Sequence, residues 1–365
     1  MLSLFIYYLF FIISIYFSYI YQKKYQSNNL KTYKSKKIIC IIMIILPVVI
    51  LQGLRKDVGT DFKAYEVLYN EIIQGPSNYY FQFYLSEPFY VLECIIIDFI
   101  FGNVIFFRII NAIIEGIFLF KTLDYFKDKI NLPIAYSICY FLVYPHFFNG
   151  ERQSLAIVLV WYSYTLIEEK KYFKYVLAVL SACFFHNTGI IGFVGVFIPL
   201  FKKIRITKKM RIALNCLLII GCMFLKQIVI FFLTAIHSDY LNYIVIDGFA
   251  DVSMAFLVPL FFVLFLLPYY KKIFYYLKNN FISQFLLKIY FIFIIIATFF
   301  SFGTRMFSFF DIVPIIMCSS IITKIENYRH RCIYSALYLV MSIIFFYLIY
   351  YMTGCDGIFP YNSII

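Results

Sequence analysis

Charge is what this chain lacks most. Of its 365 residues only 14% are charged, while 63% are hydrophobic and the mean hydropathy is +0.85. A soluble globular domain has no use for that much apolar surface, so the composition excludes one and implies a polytopic membrane protein. The nine cysteines form no CxxC or Cys/His spacing. They read as small apolar residues, which argues against a metal site or a disulfide framework. There is no GxxxxGK[ST] loop, so no nucleotide-phosphate cradle is expected. The first apolar run, Leu2 to Ile20, lacks a basic leader and a small-residue cleavage site, and reads as a retained span. No internal repeat and no soluble domain stand out.

The net charge of +13 could suggest nucleic acid. Its distribution argues otherwise, because lysines and arginines sit in short clusters between apolar runs, as cytoplasmic loops do. Basic loops at 21–37, 202–211, 271–280 and 323–331 mark one side of the membrane. Counting spans between them predicts an all-α polytopic integral membrane protein with about twelve transmembrane helices, a single membrane-embedded domain over 1–365, and both termini outside. Phe89–Ile100 breaks the parity if it crosses, and it contains Glu93 and Asp98. It is therefore expected to be an interfacial or re-entrant segment. The short runs either side of His186 are the weak joint, since one kinked helix from Tyr172 to Leu200 would reverse the count.

The stretch Gly53-Leu-Arg-Lys-Asp-Val-Gly-Thr-Asp-Phe-Lys-Ala-Tyr65 follows the second apolar run and opens an outer-face loop at 55–87. From Asp61, apolar residues recur at Tyr65, Leu68, Tyr69 and Ile72 until Gly75-Pro76. That spacing predicts a short amphipathic helix on the outer face. The stretch is either a solvated loop that marks where lipid ends or the rim of an active site.

The topology puts Arg55, Asp61, Glu87, Glu151, Arg152, His186 and Arg305 at outer ends of spans. Charges within hydrocarbon cost roughly 2.5–3.5 kcal/mol each on insertion scales, so they are rarely idle. Arg152 either snorkels at a helix mouth or, with Gln153 and the helix N-terminus, holds a pyrophosphate. His186 is either an interfacial packing residue or a group that moves a proton or binds phosphate. Arg108 could simply pair with Glu93 or Asp98. Asp239, Asp247 and Asp251 read as a solvated loop. No ATP is available on the outer face, so chemistry there needs a pre-activated substrate. Lipid-linked pyrophosphate sugars fit, with arginines stabilising the leaving group and a carboxylate or imidazole deprotonating the acceptor hydroxyl.

Several motifs together resemble the EpsG family of exopolysaccharide polymerases, relatives of the Wzy-type O-antigen polymerases. They are Gly53-Leu-Arg55…Gly59-Thr-Asp61…Tyr65, Ser86-Glu87-Pro88-Phe-Tyr90, Glu151-Arg152-Gln-Ser-Leu-Ala156, Phe185-His186-Asn-Thr-Gly189 and Pro360-Tyr361. The resemblance implies a polytopic protein of the bacterial cytoplasmic membrane that joins undecaprenyl-pyrophosphate-linked repeat units of a capsule or exopolysaccharide on the outer face. A flippase and a chain-length regulator would be its protein partners, and nucleic acid would not be one. Arg55, Asp61, Glu87, Arg152 and His186 match the family's motif positions, and Arg305 does so loosely. The resulting expectation assigns Asp61, His186 and Glu87 to catalysis, and Arg55, Arg152 and Arg305 to the pyrophosphate. Tyr65, Glu151 and Gln153 fall on the acceptor side, and no cofactor or metal is expected. A flippase for lipid-linked oligosaccharide and a membrane acyltransferase are the competing functions.

Overall fold

The computed structural model describes residues 2–25, 34–203, 234, 258–299 and 306–364. Among them the secondary structure is entirely helical, apart from one isolated bridge between Arg55 and Ser363. The helices are α1 (Leu2–Tyr25), α2 (Lys34–Gly53), α3 (Phe62–Ile73), α4 (Tyr79–Phe83), α5 (Pro88–Phe101), α6 (Val104–Phe126), α7 (Leu132–Ile138), α8 (Glu151–Glu168), α9 (Tyr172–Phe185) and α10 (Phe197–Lys203). After the undescribed segment come α11 (Val258–Leu264), α12 (Tyr270–Asn279), α13 (Phe281–Phe299), α14 (Ile312–Thr323) and α15 (Tyr328–Phe346).

Among the described residues three helices are long and apolar enough to cross a membrane: Leu2–Tyr25, Ser35–Gly53 and Tyr328–Met352. Shorter apolar helices, such as Leu132–Phe148 and Tyr172–Phe185, stand beside them. The expected exit span at 212–232, the acidic stretch at 237–251 and Arg305 lie outside the described residues.

The long helices run back and forth between two chemically distinct ends. At one end the lysines gather. There Tyr21 donates to Asp124 at 2.8 Å, Gln22 donates to the Lys127 carbonyl at 2.7 Å, and Thr323 donates to the Lys129 carbonyl at 3.4 Å. At the other end the C-terminus of α2 meets the chain's last residues. Ile364 N–H donates to the Leu54 carbonyl, Lys56 N–H to Asn362 and Gly59 N–H to Gly357, each at 3.0 Å. From α1, the Tyr7 hydroxyl reaches the Ile358 carbonyl at 3.0 Å.

Helix α3 buries Phe62, Tyr65, Leu68, Tyr69 and Ile72, the stripe seen in the sequence. It covers α5 and α6 and forms a small separate core with Tyr90, Val91, Cys94, Ile97 and Phe107. Phe107 ties that core together, with its ring centre 5.7 Å from Tyr90 in the first turn of α5 and 5.6 Å from Tyr69. Tyr69 in turn donates to Asp98, in the last turn of α5, at 3.4 Å. Both ends of α5 are therefore tied to this small core beside α3. Gly102 reverses the chain into α6 with φ 60°.

The weak joint at His186 is a true reversal. Helix α9 stops at Phe185, and Asn187–Val196 continues as a 3-10 helix folded back along it. Residues three apart eclipse in a 3-10 helix. Gly189, Gly192 and Gly195 therefore form one stripe. A Cβ there would come within 2.5 Å of the Ala182 backbone, 2.8 Å of Val160 and 2.6 Å of Ile167. Tyr175 fastens the hairpin by donating to the Gly192 carbonyl at 2.5 Å.

Candidate active site

A cavity of about 670 Å³ opens at the end where the chain's last residues dock. Asp61, Tyr65, Arg152, Gln153 and His186 all line it. These residues come from the α3 start, the first turn of α8 and the α9 hairpin, so three distant segments converge.

Local backbone explains why Asp61 arrives there. Gly59 has φ 100°, and a Cβ on it would lie 2.7 Å from Asn149 Oδ1 and 2.9 Å from the Phe148 carbonyl. Only glycine allows both that conformation and that approach. The next residues, Thr60 and Asp61, then turn into α3, with Thr60 Oγ1 donating to Asp61 Oδ1 at 3.1 Å. Asp61 makes no ion pair among the described residues.

Arg152 is held in an aromatic cage. Its guanidinium carbon lies 4.4 Å from the ring centre of Tyr84, 5.1 Å from Tyr90 and 5.9 Å from Tyr65. Behind it Glu87 forms an ion pair with Nη1, and the Arg152 side chain remains 14% exposed to the cavity. The second Glu87 oxygen accepts from Asn187 N–H at 3.0 Å. One carboxylate thus joins α5, α8 and the α9 hairpin.

The neighbours of His186 fix its tautomer as oriented here. Nδ1 accepts from the Thr188 backbone N–H at 3.1 Å, and Thr188 Oγ1 lies 2.9 Å away. A backbone N–H can only donate, so Nδ1 carries a lone pair and the neutral ring bears its hydrogen on Nε2. His186 can therefore offer an N–H from that nitrogen.

Arg55, expected at the rim, is enclosed. It pairs with Glu151, with the two side chains 0% and 1% exposed. It also donates to the Gln52 carbonyl at 2.7 Å and to Phe148 at 3.1 Å. Glu151 shares a second arginine, because Arg108 Nε lies 3.7 Å away while Arg108 Nη2 donates to Glu66 at 2.7 Å. Arg108 does not pair with Glu93 or Asp98. Glu93 instead faces Asn111, whose amide nitrogen reaches its oxygens at 2.7 and 3.1 Å when oriented to donate. The reason is three-dimensional, since α3 and α8 bring carboxylates closer to Arg108 than its sequence neighbours do.

Two cavity residues escaped the sequence reading. His146 Nδ1 lies 2.5 Å from Asp356 Oδ2, and both line the cavity. The Tyr350 hydroxyl donates to the Leu142 carbonyl at 2.6 Å, so it accepts from His146 Nε2 at 3.2 Å. Nε2 is then the donor, and Nδ1 faces the Asp356 carboxylate. Asp356 has φ 62°, unusual for a residue with a Cβ, and is anchored by Asn149 Nδ2 at 2.9 Å (to its carbonyl) and 3.1 Å (to Oδ1). Burial pushes its carboxyl up, but the His146 charge and hydrogen bonds from His146, Asn149 and Cys355 outweigh this and hold it below the usual carboxylate range. The available signals were a histidine ending an apolar run and an aspartate between glycines after the last one.

The EpsG family profile matches residues 37–363. The chain belongs to the EpsG family. No curated protein and no solved structure matches it. EpsG-like proteins are Wzy-type polysaccharide polymerases, so this EpsG-family chain is a membrane protein of polysaccharide biosynthesis. The match takes in every segment that lines the cavity, from Thr60 to Asp356.

Proposed function

We propose that this EpsG-family protein is the repeat-unit polymerase of a capsule or exopolysaccharide, working on the outer face of the cytoplasmic membrane. It transfers a growing glycan from polyprenyl pyrophosphate to a hydroxyl of the next lipid-linked unit. The observation that carries this reading is the convergence of Arg152, Asp61 and His186 on one cavity. The acceptor oxygen attacks the anomeric carbon of the donor sugar. The bond from that carbon to the pyrophosphate oxygen breaks, and the electron pair leaves on the pyrophosphate. Arg152 and the His186 Nε2–H take up the charge that develops there. Asp61 takes the acceptor proton, because the Nδ1 lone pair of His186 is engaged by the Thr188 N–H and its other ring nitrogen carries hydrogen. Tyr65 and Gln153 meet the acceptor sugar. Arg55, Glu151 and Glu87 are positioning residues: the first two fix the start of α8, and Glu87 sets the guanidinium plane of Arg152. The transfer needs no metal.

A flippase would use charges along the membrane depth, but Arg108 and Glu115, which lie within α6, are enclosed at 2% and 0% exposed. The deciding experiment measures polymer length in cells making Asp61→Asn or Arg152→Lys at normal protein level. Single lipid-linked units accumulating outside are the expected result. Long polymer at wild-type yield from both variants would overturn the reading, and units trapped inside would indicate a flippase.

A further inference from the structure

At the lysine-rich end, far from the polymerase cavity, a cleft of about 390 Å³ lies between the 126–130 segment, α12 and the last turn of α14. We propose that this cleft is a binding site for a phosphate group, and that in the membrane its occupant is the headgroup of an anionic phospholipid.

The polar inventory points to an anion. Lys324 lines the cleft and makes no ion pair among the described residues, and its ammonium lies 5.3 Å from the ring centre of Tyr276. Lys129 lines it too, with only a 3.8 Å approach to Glu168, beyond hydrogen-bond distance. Asp128 is the one carboxylate on the wall among the described residues, so the two ammonium groups outnumber it. Deeper, Ser320 is 2% exposed and lines the cleft, so its hydroxyl is within reach of an occupant.

Depth points to a lipid. Helix α12 forms one side of the cleft, and Tyr270, Phe274 and Tyr275 are exposed on it beside Lys271 and Lys278. Exposed aromatics with lysines on a short amphipathic helix place it in the headgroup layer. The mouth of the cleft then lies at the level of lipid phosphates, where basic pockets between helices take anionic headgroups. The remaining wall is apolar, with Phe126, Ile130 and Ile316, and suits the glycerol and first acyl carbons.

The test is native mass spectrometry of the full chain in detergent, titrated separately with cardiolipin, phosphatidylcholine and inorganic phosphate. Cardiolipin should be retained by the wild type, and the K129Q/K324Q double variant should lose it by about ten-fold. Ser320→Val should weaken it several-fold while leaving the lipid-free melting temperature unchanged. Arg152→Lys should retain cardiolipin fully, which separates this site from the polymerase reading. Equal retention by wild type and both variants, or equal retention of phosphatidylcholine, would overturn the proposal. Inorganic phosphate that displaces cardiolipin at low millimolar concentration would show a free-phosphate site and overturn the lipid assignment.

Discussion

Glu151 is sealed against Arg55 inside the protein, while Arg152, the next residue, turns outward onto the cavity. Consecutive positions of one helix turn thus separate support from contact. The first faces the bundle, the second the substrate space.

That separation predicts different failures. Arg55→Met should cost about 3–5 kcal/mol, since it strands Glu151 beside only the more distant Arg108. The R55M/E151L double variant should recover most of the loss, because Glu66 still satisfies Arg108. Thermal melts of the purified proteins provide the cycle. Additive single losses would show that the two side chains do not interact.

Arg152→Lys keeps the charge but loses the Nη1 contact to Glu87 and the guanidinium's place over the Tyr84 and Tyr90 rings. The transfer rate should fall by about ten-fold or more, with the melting temperature little changed. A rate within error of wild type would mean that a point charge is enough.

Asp61→Asn should lower the maximal rate by roughly 10²–10⁴, while substrate binding holds. His186→Gln should cost less, because the amide can still donate where the ring does. If His186→Gln shows the larger loss and Asp61→Asn the smaller, the two roles are exchanged.

Gly59→Ala meets a positive φ, the Phe148 backbone carbonyl and the Asn149 side-chain oxygen. A cost of order 1–3 kcal/mol is expected, together with lost polymer, since Asp61 follows directly. Gly75→Ala has φ 92° but nothing within 4 Å, so it should cost less and leave activity intact. Comparing the two in the same melt and polymer assays isolates the crowding at Gly59.

The Asp356 carboxyl is held low, so its stabilising effect on the docked tail is complete above the unfolded value of about 3.9. It is lost as pH falls through the lower folded value. Limited proteolysis of segment 353–364 should therefore accelerate in acid for the wild type. Asp356→Asn should show raised cleavage at neutral pH and no acid step.

Much of the fold could be read from the residues because it rests on local periodicity. The α3 stripe repeats at helical spacing, so its burial is legible in the residues themselves. The partners of Arg108 and Arg152 were not visible, because Glu66, Glu151 and Glu87 arrive through packing of separate helices. The turn at His186 was ambiguous for a different reason. The run after it looks too short to span as an α-helix. A 3-10 helix rises about 2 Å per residue instead of 1.5 Å, which lengthens the segment. The glycines at three-residue spacing were the available sign.

The docked tail also sets an order of assembly. Asp356 meets Asn149 and His146, and Ser363 meets Arg55, only after Tyr328–Met352 has entered the membrane. A ribosome-bound chain already holds Glu87 and Arg152, yet one wall of its chamber is missing. Synthesis thus delivers this wall after the other segments that line the cavity, and the cavity is complete only once translation has passed Asp356.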